Sequence, residues 1–140
     1  MSEIRVSRWL FKTEPSTYAF EDLVRDGRTV WDGITNALAL RHLRTVRKGD
    51  SVLVYHTGDV KAAVGLAKVA KGAYPDPRSG DARLVVVDLV PERALGRPVA
   101  LADMRATRAL AGFDLLRNSR LSVVPVSETQ WKTILSMSTE

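Results

Sequence analysis

The amino-acid sequence predicts an α+β domain in which a strongly curved sheet or barrel is flanked by short helices. Runs rich in β-branched residues recur along the chain, and short amphipathic segments lie between several of them. Gly and Pro residues mark the turns that separate these segments. With 140 residues, 45% of them hydrophobic, and no repeat or low-complexity linker, the chain fits one domain over residues 1–140.

The first strand and the first helix lie on either side of a proline. Side chains alternate between apolar and mixed positions over Arg8–Thr13, which predicts a strand that Pro15 ends. The segment FEDLVRDG then places Phe20, Leu23 and Val24 on one apolar helical face. Gly27 is suited to end this helix in a left-handed conformation. A short strand at 28–31 is expected to follow.

A second amphipathic helix is predicted after a polar N-cap at Thr35 or Asn36. At about 100° per residue, one stripe of this helix is apolar and a neighbouring stripe is largely basic. The apolar stripe comprises Ala39, Leu40, Leu43 and Val46, and the basic one includes Arg41, Arg44 and Lys48. One face of the helix therefore packs, and the adjacent face is cationic.

Further strands are predicted at 51–56, 62–69, 83–90 and 121–126, where β-branched residues are concentrated. A loop is predicted for 73–77, because two prolines surround Asp76. Pro125 indicates that the last strand lies at a sheet edge or strand end. Ser127 and Gln130 have the spacing of a capping box, which predicts a final helix.

Several kinds of chemistry are disfavoured by the residues present. Without cysteine the chain has no thiol nucleophile, disulfide or thiolate metal site. Its glycines form no phosphate-binding loop, its two histidines lack metal-ligand spacing, and there is no GxSxG turn for a serine nucleophile. The sequence therefore predicts no cofactor, no metal site and no catalytic residue.

The charge and the hydropathy pattern limit the possible binding partners and the cellular location. A net charge of +5 favours polyanions such as nucleic acid. No apolar stretch is long enough to cross a bilayer, and the N-terminus lacks the apolar core of a signal peptide. We therefore expect a cytoplasmic protein that does not bind membranes.

Five motifs together resemble the EVE domain family. They are WLFKTEP, WDGITN, KGDSVLVYHTG, AYPDP and RLSVVPV, which occur in the family's order and spacing from Arg8 to Leu135. EVE domains belong to the PUA-like superfamily with YTH and ASCH domains. The resemblance implies a curved mixed β-barrel and a pocket for a single, often modified, nucleobase. After WDG, many family members have V-R-N-Y-Q-A-R-N where this chain has I-T-N-A-L-A-L-R. Asn36 and Ala39 are retained, whereas the family's Arg, Tyr and Gln are replaced by Thr35, Ala37 and Leu38.

Base capture requires stacking surfaces, polar groups for the base edge, and cations for the flanking phosphates. Trp31 and Tyr55 are the candidate stacking residues. The other candidates for the pocket are Asn36, His56, Thr57, Thr13, Lys12 and Glu14, and those for phosphate are Arg41, Arg44, Lys48 and Arg120. Structural roles compete with several of these, since Trp31 could be core, Asn36 could simply cap the helix, and a basic stripe is often only a solvated face.

Three functions remain open. The favoured one is a non-catalytic module that captures a modified cytosine or adenine in DNA or RNA, with any cleavage left to a nuclease or restriction partner. The second is hydrolysis of a modified nucleoside, since some ASCH relatives are amidohydrolases that use Lys, Thr and Glu, and Lys12, Thr13 and Glu14 are adjacent here. On one strand, however, Thr13 points away from the other two, so another Thr or acid, such as Thr57 or Asp59, would have to join them. The third is general RNA binding through the basic helix.

Overall fold

A six-stranded sheet in the order β2-β5-β4-β3-β1-β6 organises residues 6–139, which the structure, a computed structural model, describes. The strands are β1 (Arg8–Thr13), β2 (Thr29–Trp31), β3 (Ser51–His56), β4 (Ala62–Pro75), β5 (Val85–Ala100) and β6 (Val123–Val126). The α-helices are α1 (Phe20–Asp26), α2 (Ala37–Leu43), α3 (Leu101–Arg105), α4 (Asp114–Arg117) and α5 (Glu128–Met137), with a 3-10 turn at Arg108–Leu110. The predicted α+β class is confirmed, but β2 and β6 are edges, so the curved sheet only approximates a barrel.

The mixed character of the sheet arises at β1. This strand runs parallel to β3 and antiparallel to β6, while the other pairs in the described chain are antiparallel. The parallel pair needs a long crossover, which α1, β2 and α2 provide. Leu10 pairs with both Leu53 and Val124, and all three are fully buried. The centre of the sheet is therefore the centre of the core.

The hairpin of β4 and β5 is longer than the sequence predicted. Its register shifts at several points, and such irregularities bend and twist a sheet. The loop predicted for 73–77 is wrong in its first half, because Tyr74 and Pro75 still pair with Val86 and Val85. Pro75 is the last residue of β4, a position where the missing N–H of proline costs little.

Local sequence signals place the helix ends correctly. Gly27 follows α1 with a φ of 75°, and the side chain of Asn36 accepts a 3.0 Å hydrogen bond from the N–H of Ala39. Ser127 and Gln130 form the predicted capping box of α5. The expectation for Val24 is wrong, since it is 55% exposed. In the short helix α1, only Phe20 and Leu23 are buried against the sheet.

The segment between β5 and β6 carries α3, the 3-10 turn and α4, none of which was expected from the sequence. Each of these elements buries an apolar residue, respectively Met104, Leu110 and Leu115. Within residues 6–139, no helix has the length and apolar character needed to cross a bilayer.

Candidate base-binding cleft

A cleft of about 440 Å³ opens where β1 and β2 end. The turn at 16–18 and the connection between β4 and β5 complete its walls. Its lining consists of Thr13, Thr17, Tyr18, Arg28, Thr29, Val30, Trp31, Asp32 and Arg78. Aromatic, hydroxyl, carboxylate and guanidinium groups thus converge on one concave site, a combination suited to a planar polar ligand.

Trp31 belongs both to the core and to this cleft. It is the last residue of β2, pairs with Val87 and is 7% exposed. Its ring centroid lies 5.8 Å from that of Phe11, in a tilted contact, and 6.2 Å from that of Tyr18, which meets it edge-on. These contacts fix the indole rigidly, so little side-chain freedom would be lost if the part of the ring that lines the cleft touched a ligand.

Tyr18 is held in the cleft by contacts at both ends. The hydroxyl of Thr13 donates a 2.7 Å hydrogen bond to its backbone carbonyl, and its own phenol donates a 2.9 Å hydrogen bond to Asp26. Burial is the main cause that raises the pKa of the Tyr18 phenol. The N–H groups of Thr17 and Tyr18 both donate to the carbonyl of Glu14, so the whole turn is well ordered by hydrogen bonds.

His56, Glu14 and Thr57 support the cleft without lining it. The Nε2 atom of His56 accepts a 3.0 Å hydrogen bond from the N–H of Phe20, and burial lowers the pKa of the imidazole. The carboxylate of Glu14 accepts hydrogen bonds from Ser16 and, at 3.3 Å, from the hydroxyl of Thr57. The backbone N–H of Ser16 is the main cause that lowers the pKa of Glu14.

Lys12 and Tyr55 lie on the opposite face of the sheet from Trp31. They are paired across β1 and β3, whereas Thr13 is paired with His56, and neighbouring residues on a strand point to opposite faces. The ammonium of Lys12 donates a 2.9 Å hydrogen bond to the carbonyl of Ser119 and lies 6.0 Å from the ring centroid of Tyr55. Burial lowers the pKa of Lys12 and raises that of Tyr55. The structure therefore does not bring Tyr55 together with Trp31.

Arg28 and Arg78 supply positive charge at the cleft. Arg28 is fixed by two hydrogen bonds, of 2.8 and 3.2 Å, to the buried carboxylate of Asp88. Asp88 also accepts from the hydroxyl of Tyr74, and burial followed by this bond raises the pKa of Tyr74 to about 12. Arg78 is 81% exposed and lies 3.7 Å from the carboxylate of Asp32.

The four residues predicted to contact phosphate are all exposed but occupy two regions. Arg44 donates a 2.7 Å hydrogen bond to the carbonyl of Arg83, so this side of α2 contacts the β4–β5 connection that also carries Arg78. Arg44 and Arg83 line a depression separate from the cleft. Arg41 and Lys48 lie on or just after α2. Arg120 instead follows Ser119, which accepts the hydrogen bond from Lys12.

Comparison with known proteins places this architecture in one family. The model of the EVE domain matches residues 7–137. The chain belongs to the EVE domain family. A Rhodopseudomonas palustris protein solved by NMR is 37% identical, with a TM-score of 0.90 over 95% of this chain and 93% of that chain.

A human relative has been solved with a ligand. Thymocyte nuclear protein 1 is 27% identical over 165 residues, which cover 94% of this chain and 73% of that protein. Its structure in complex with DNA containing 5-methylcytosine has a TM-score of 0.88 over 96% of this chain and 98% of that chain. An ASCH protein of Zymomonas mobilis, 12% identical with a TM-score of 0.62 over 94% and 95% of the two chains, shares the fold alone.

Several lining residues of this EVE domain were missed by sequence reasoning. They are Thr17, Tyr18, Arg28, Thr29, Val30, Asp32 and Arg78. Tyr18 carries a usable signal, because an aromatic residue in a turn between a strand and a helix is a plausible ligand contact. Arg78 carries none, because only the folding of the β4–β5 hairpin brings it to Asp32. Among residues 6–139, no group of three or more His, Asp or Glu side chains is placed to hold a metal ion.

Proposed function

We propose that this EVE domain is a non-catalytic module that captures a modified nucleobase, in the first instance a modified cytosine in DNA. The observation that carries the proposal is the cleft itself, with Trp31 and Tyr18 in its wall and Arg28 and Arg78 at its rim. Its volume of about 440 Å³ lies in the range of ordinary small-ligand sites. The 5-methylcytosine DNA complex of human thymocyte nuclear protein 1 supports the same choice of ligand.

The energetics of base capture agree with these contacts. Extruding a base from a duplex costs a few kcal/mol, and stacking on an aromatic side chain recovers about 1–3 kcal/mol per base. The hydroxyl and charged groups in the cleft can pair with the base edge, and exposed cations such as Arg44 can hold the flanking phosphates. Stacking at Trp31 would therefore set the preference for an extruded base, while the cations would set overall affinity.

The hydrolase alternative is less well supported by the geometry. It requires Lys12, Thr13 and Glu14 to act at one point. The ammonium of Lys12 is engaged with Ser119, while the hydroxyl of Thr13 donates to Tyr18 on the other face. Glu14 accepts from Ser16 and Thr57. This separation supports a binding role, and cleavage of a modified nucleic acid would then need a nuclease or restriction partner.

A binding titration tests the proposal. Single- and double-stranded DNA and RNA oligonucleotides carrying cytosine, 5-methylcytosine, 5-hydroxymethylcytosine, adenine or N6-methyladenine would be titrated at stated salt against wild type, Trp31→Phe and Trp31→Ala. Trp131→Ala is the matched control, because Trp131 is equally buried, at 8% exposure, but lies on α5 away from the cleft. Circular dichroism would establish that each variant is folded.

We expect a preference for a modified base that Trp31→Ala abolishes, Trp31→Phe retains in part, and Trp131→Ala leaves unchanged. Equal binding to every oligonucleotide, weakening with salt and indifferent to Trp31, would instead indicate a general basic surface of the kind found in PUA-like RNA-binding modules. That result would reject the proposed function.

A further inference from the structure

Asp32 and Arg78 are charged, exposed residues at the mouth of the cleft, and no hydrogen bond joins them. Asp32 follows directly after Trp31, and its side chain is 47% exposed. Arg78 reaches it from the β4–β5 connection, with 3.7 Å between Nη1 and Oδ2. This separation is too long for a hydrogen bond. The pair is thus a loose, solvated contact across the cleft.

Arg28, the other cation of the cleft, is already held by hydrogen bonds to Asp88. Arg28 donates twice to Asp88, which is 8% exposed and also accepts from Tyr74. Removing Arg28 from this network would leave a buried carboxylate with fewer partners, which is costly. Asp32 and Arg78 bear no comparable constraint, so they are the charged side chains of the cleft that can turn toward a ligand at low cost.

Resting on the function proposed above, we propose that Asp32 and Arg78 read the edge of the captured base and select an amino-bearing base over thymine or uracil. Cytosine and 5-methylcytosine present an exocyclic amine, a donor, beside ring N3, an acceptor. A carboxylate can accept from the amine while a guanidinium donates to N3. The acceptor and the donor at the mouth of the cleft match this pattern.

Thymine presents the reverse pattern. Its O4 is an acceptor and its N3 carries a hydrogen, so O4 would face the carboxylate and N3–H would face the guanidinium. Both contacts would be repulsive or unpaired within a partly desolvated site. Because thymine keeps the methyl group of 5-methylcytosine, a comparison of the two bases isolates the reading of the edge from contacts with the methyl group. Each well-made contact of this kind discriminates by about tenfold.

A phosphate contact is the competing role for Arg78. Such a contact would strengthen binding to every oligonucleotide to a similar extent and would add about one unit to the slope of log affinity against log salt. Edge reading instead changes the ratio of affinities for two bases at constant salt. The two roles therefore give different readouts for the same substitution.

The experiment measures affinities of wild type, Asp32→Asn and Arg78→Met for matched oligonucleotides carrying 5-methylcytosine or thymine at one position. Asp103→Asn and Arg117→Met, at exposed positions outside the cleft, are controls with the same changes in charge. We expect wild type and the controls to favour 5-methylcytosine by about tenfold or more. Asp32→Asn should bring this ratio close to one or invert it, because the amide can donate to O4 of thymine. Arg78→Met should also reduce the ratio.

An unchanged ratio in Asp32→Asn would overturn the proposal. Arg78→Met could instead weaken binding to both oligonucleotides equally, reduce the salt slope and leave the ratio of the two affinities unchanged. That result would assign Arg78 to a phosphate contact and would overturn its proposed role in reading the base edge. Failure of the proposed function is recognised separately in the titration of the Trp31 variants. Trp31→Ala would then bind every oligonucleotide as tightly as wild type does. Both side chains are substantially exposed, so the substitutions should leave the fold intact.

Discussion

The Nε2 atom of His56 accepts a 3.0 Å hydrogen bond from the backbone N–H of Phe20, which ties the end of β3 to the first turn of α1. An imidazole nitrogen can accept only when it carries no proton, so His56 is neutral in the folded protein. Burial lowers its pKa below the ordinary value of 6.5, and the opposing effects of Glu21, Glu14 and Asp22 are smaller.

This contact predicts a loss of stability in mild acid. The unfolded chain takes up a proton near pH 6.5, whereas the folded protein resists it until lower pH. The contribution of neutral His56 to the free energy of unfolding is therefore complete above about pH 6.5, and it is lost as the pH falls through the lowered pKa of His56. Urea unfolding of wild type and His56→Gln between about pH 5 and 7.5 tests this, since Gln can accept without titrating. A His56→Gln profile as steep as that of wild type would contradict the prediction, and His42→Gln serves as the control.

Gly65 is predicted to tolerate no side chain. A Cβ at this position would overlap the ring of Phe20, which is 4% exposed and packed in the core. We expect Gly65→Ala to destabilise the protein by about 1–3 kcal/mol, as overpacking of a core typically does. Chemical denaturation measures the effect. Gly80→Ala is the control, because nothing lies within 4 Å of a Cβ there, and similar behaviour of the two variants would disprove the steric account.

The two groups of basic residues should differ in their effect on binding. Arg44 is linked to the connection that carries Arg78, whereas Arg120 lies next to Ser119 on the side of Lys12. We expect Arg44→Met to weaken binding to all oligonucleotides alike and to reduce the salt slope by about one. We expect Arg120→Met to change little. Titrations at several salt concentrations decide this, and the reverse result would place the nucleic acid on the other face.

No hydrolysis of N4-acylated cytidine is expected. The ammonium of Lys12 is separated by the sheet from the hydroxyl of Thr13, so the groups that an amidohydrolase would need do not meet. Chromatography of the nucleoside after prolonged incubation would measure turnover. Turnover by wild type that disappears in Lys12→Met, but not in Lys132→Met, would revive the enzymatic alternative.

Much of the local structure could be predicted because its signals are short in range. Gly27, Asn36 and Ser127 end or begin helices for reasons contained in a few neighbouring residues. The helices α3 and α4 gave no such signal, since five and four residues are too few to show a hydrophobic period.

The candidate site could be predicted only in part. The position of Trp31 at the end of a strand was readable, and it does line the cleft. The grouping of Tyr55 with Trp31 was not supported, because the face of a β3 residue depends on its register with β1. The approach of Arg78 to Asp32 depends on a hairpin far from Asp32 in sequence, and no local pattern encodes it.

The pairing of β1 also has a consequence for the order of folding. Arg8 aligns with Val126, so the strand that ends at Thr13 gains its second neighbour from near the opposite end of the chain. During synthesis, β1 must wait until β6 has been made before it is held from both sides. Contacts so distant in sequence form slowly. The strand whose last residue, Thr13, lines the cleft is therefore expected to be among the last elements to be held on both sides.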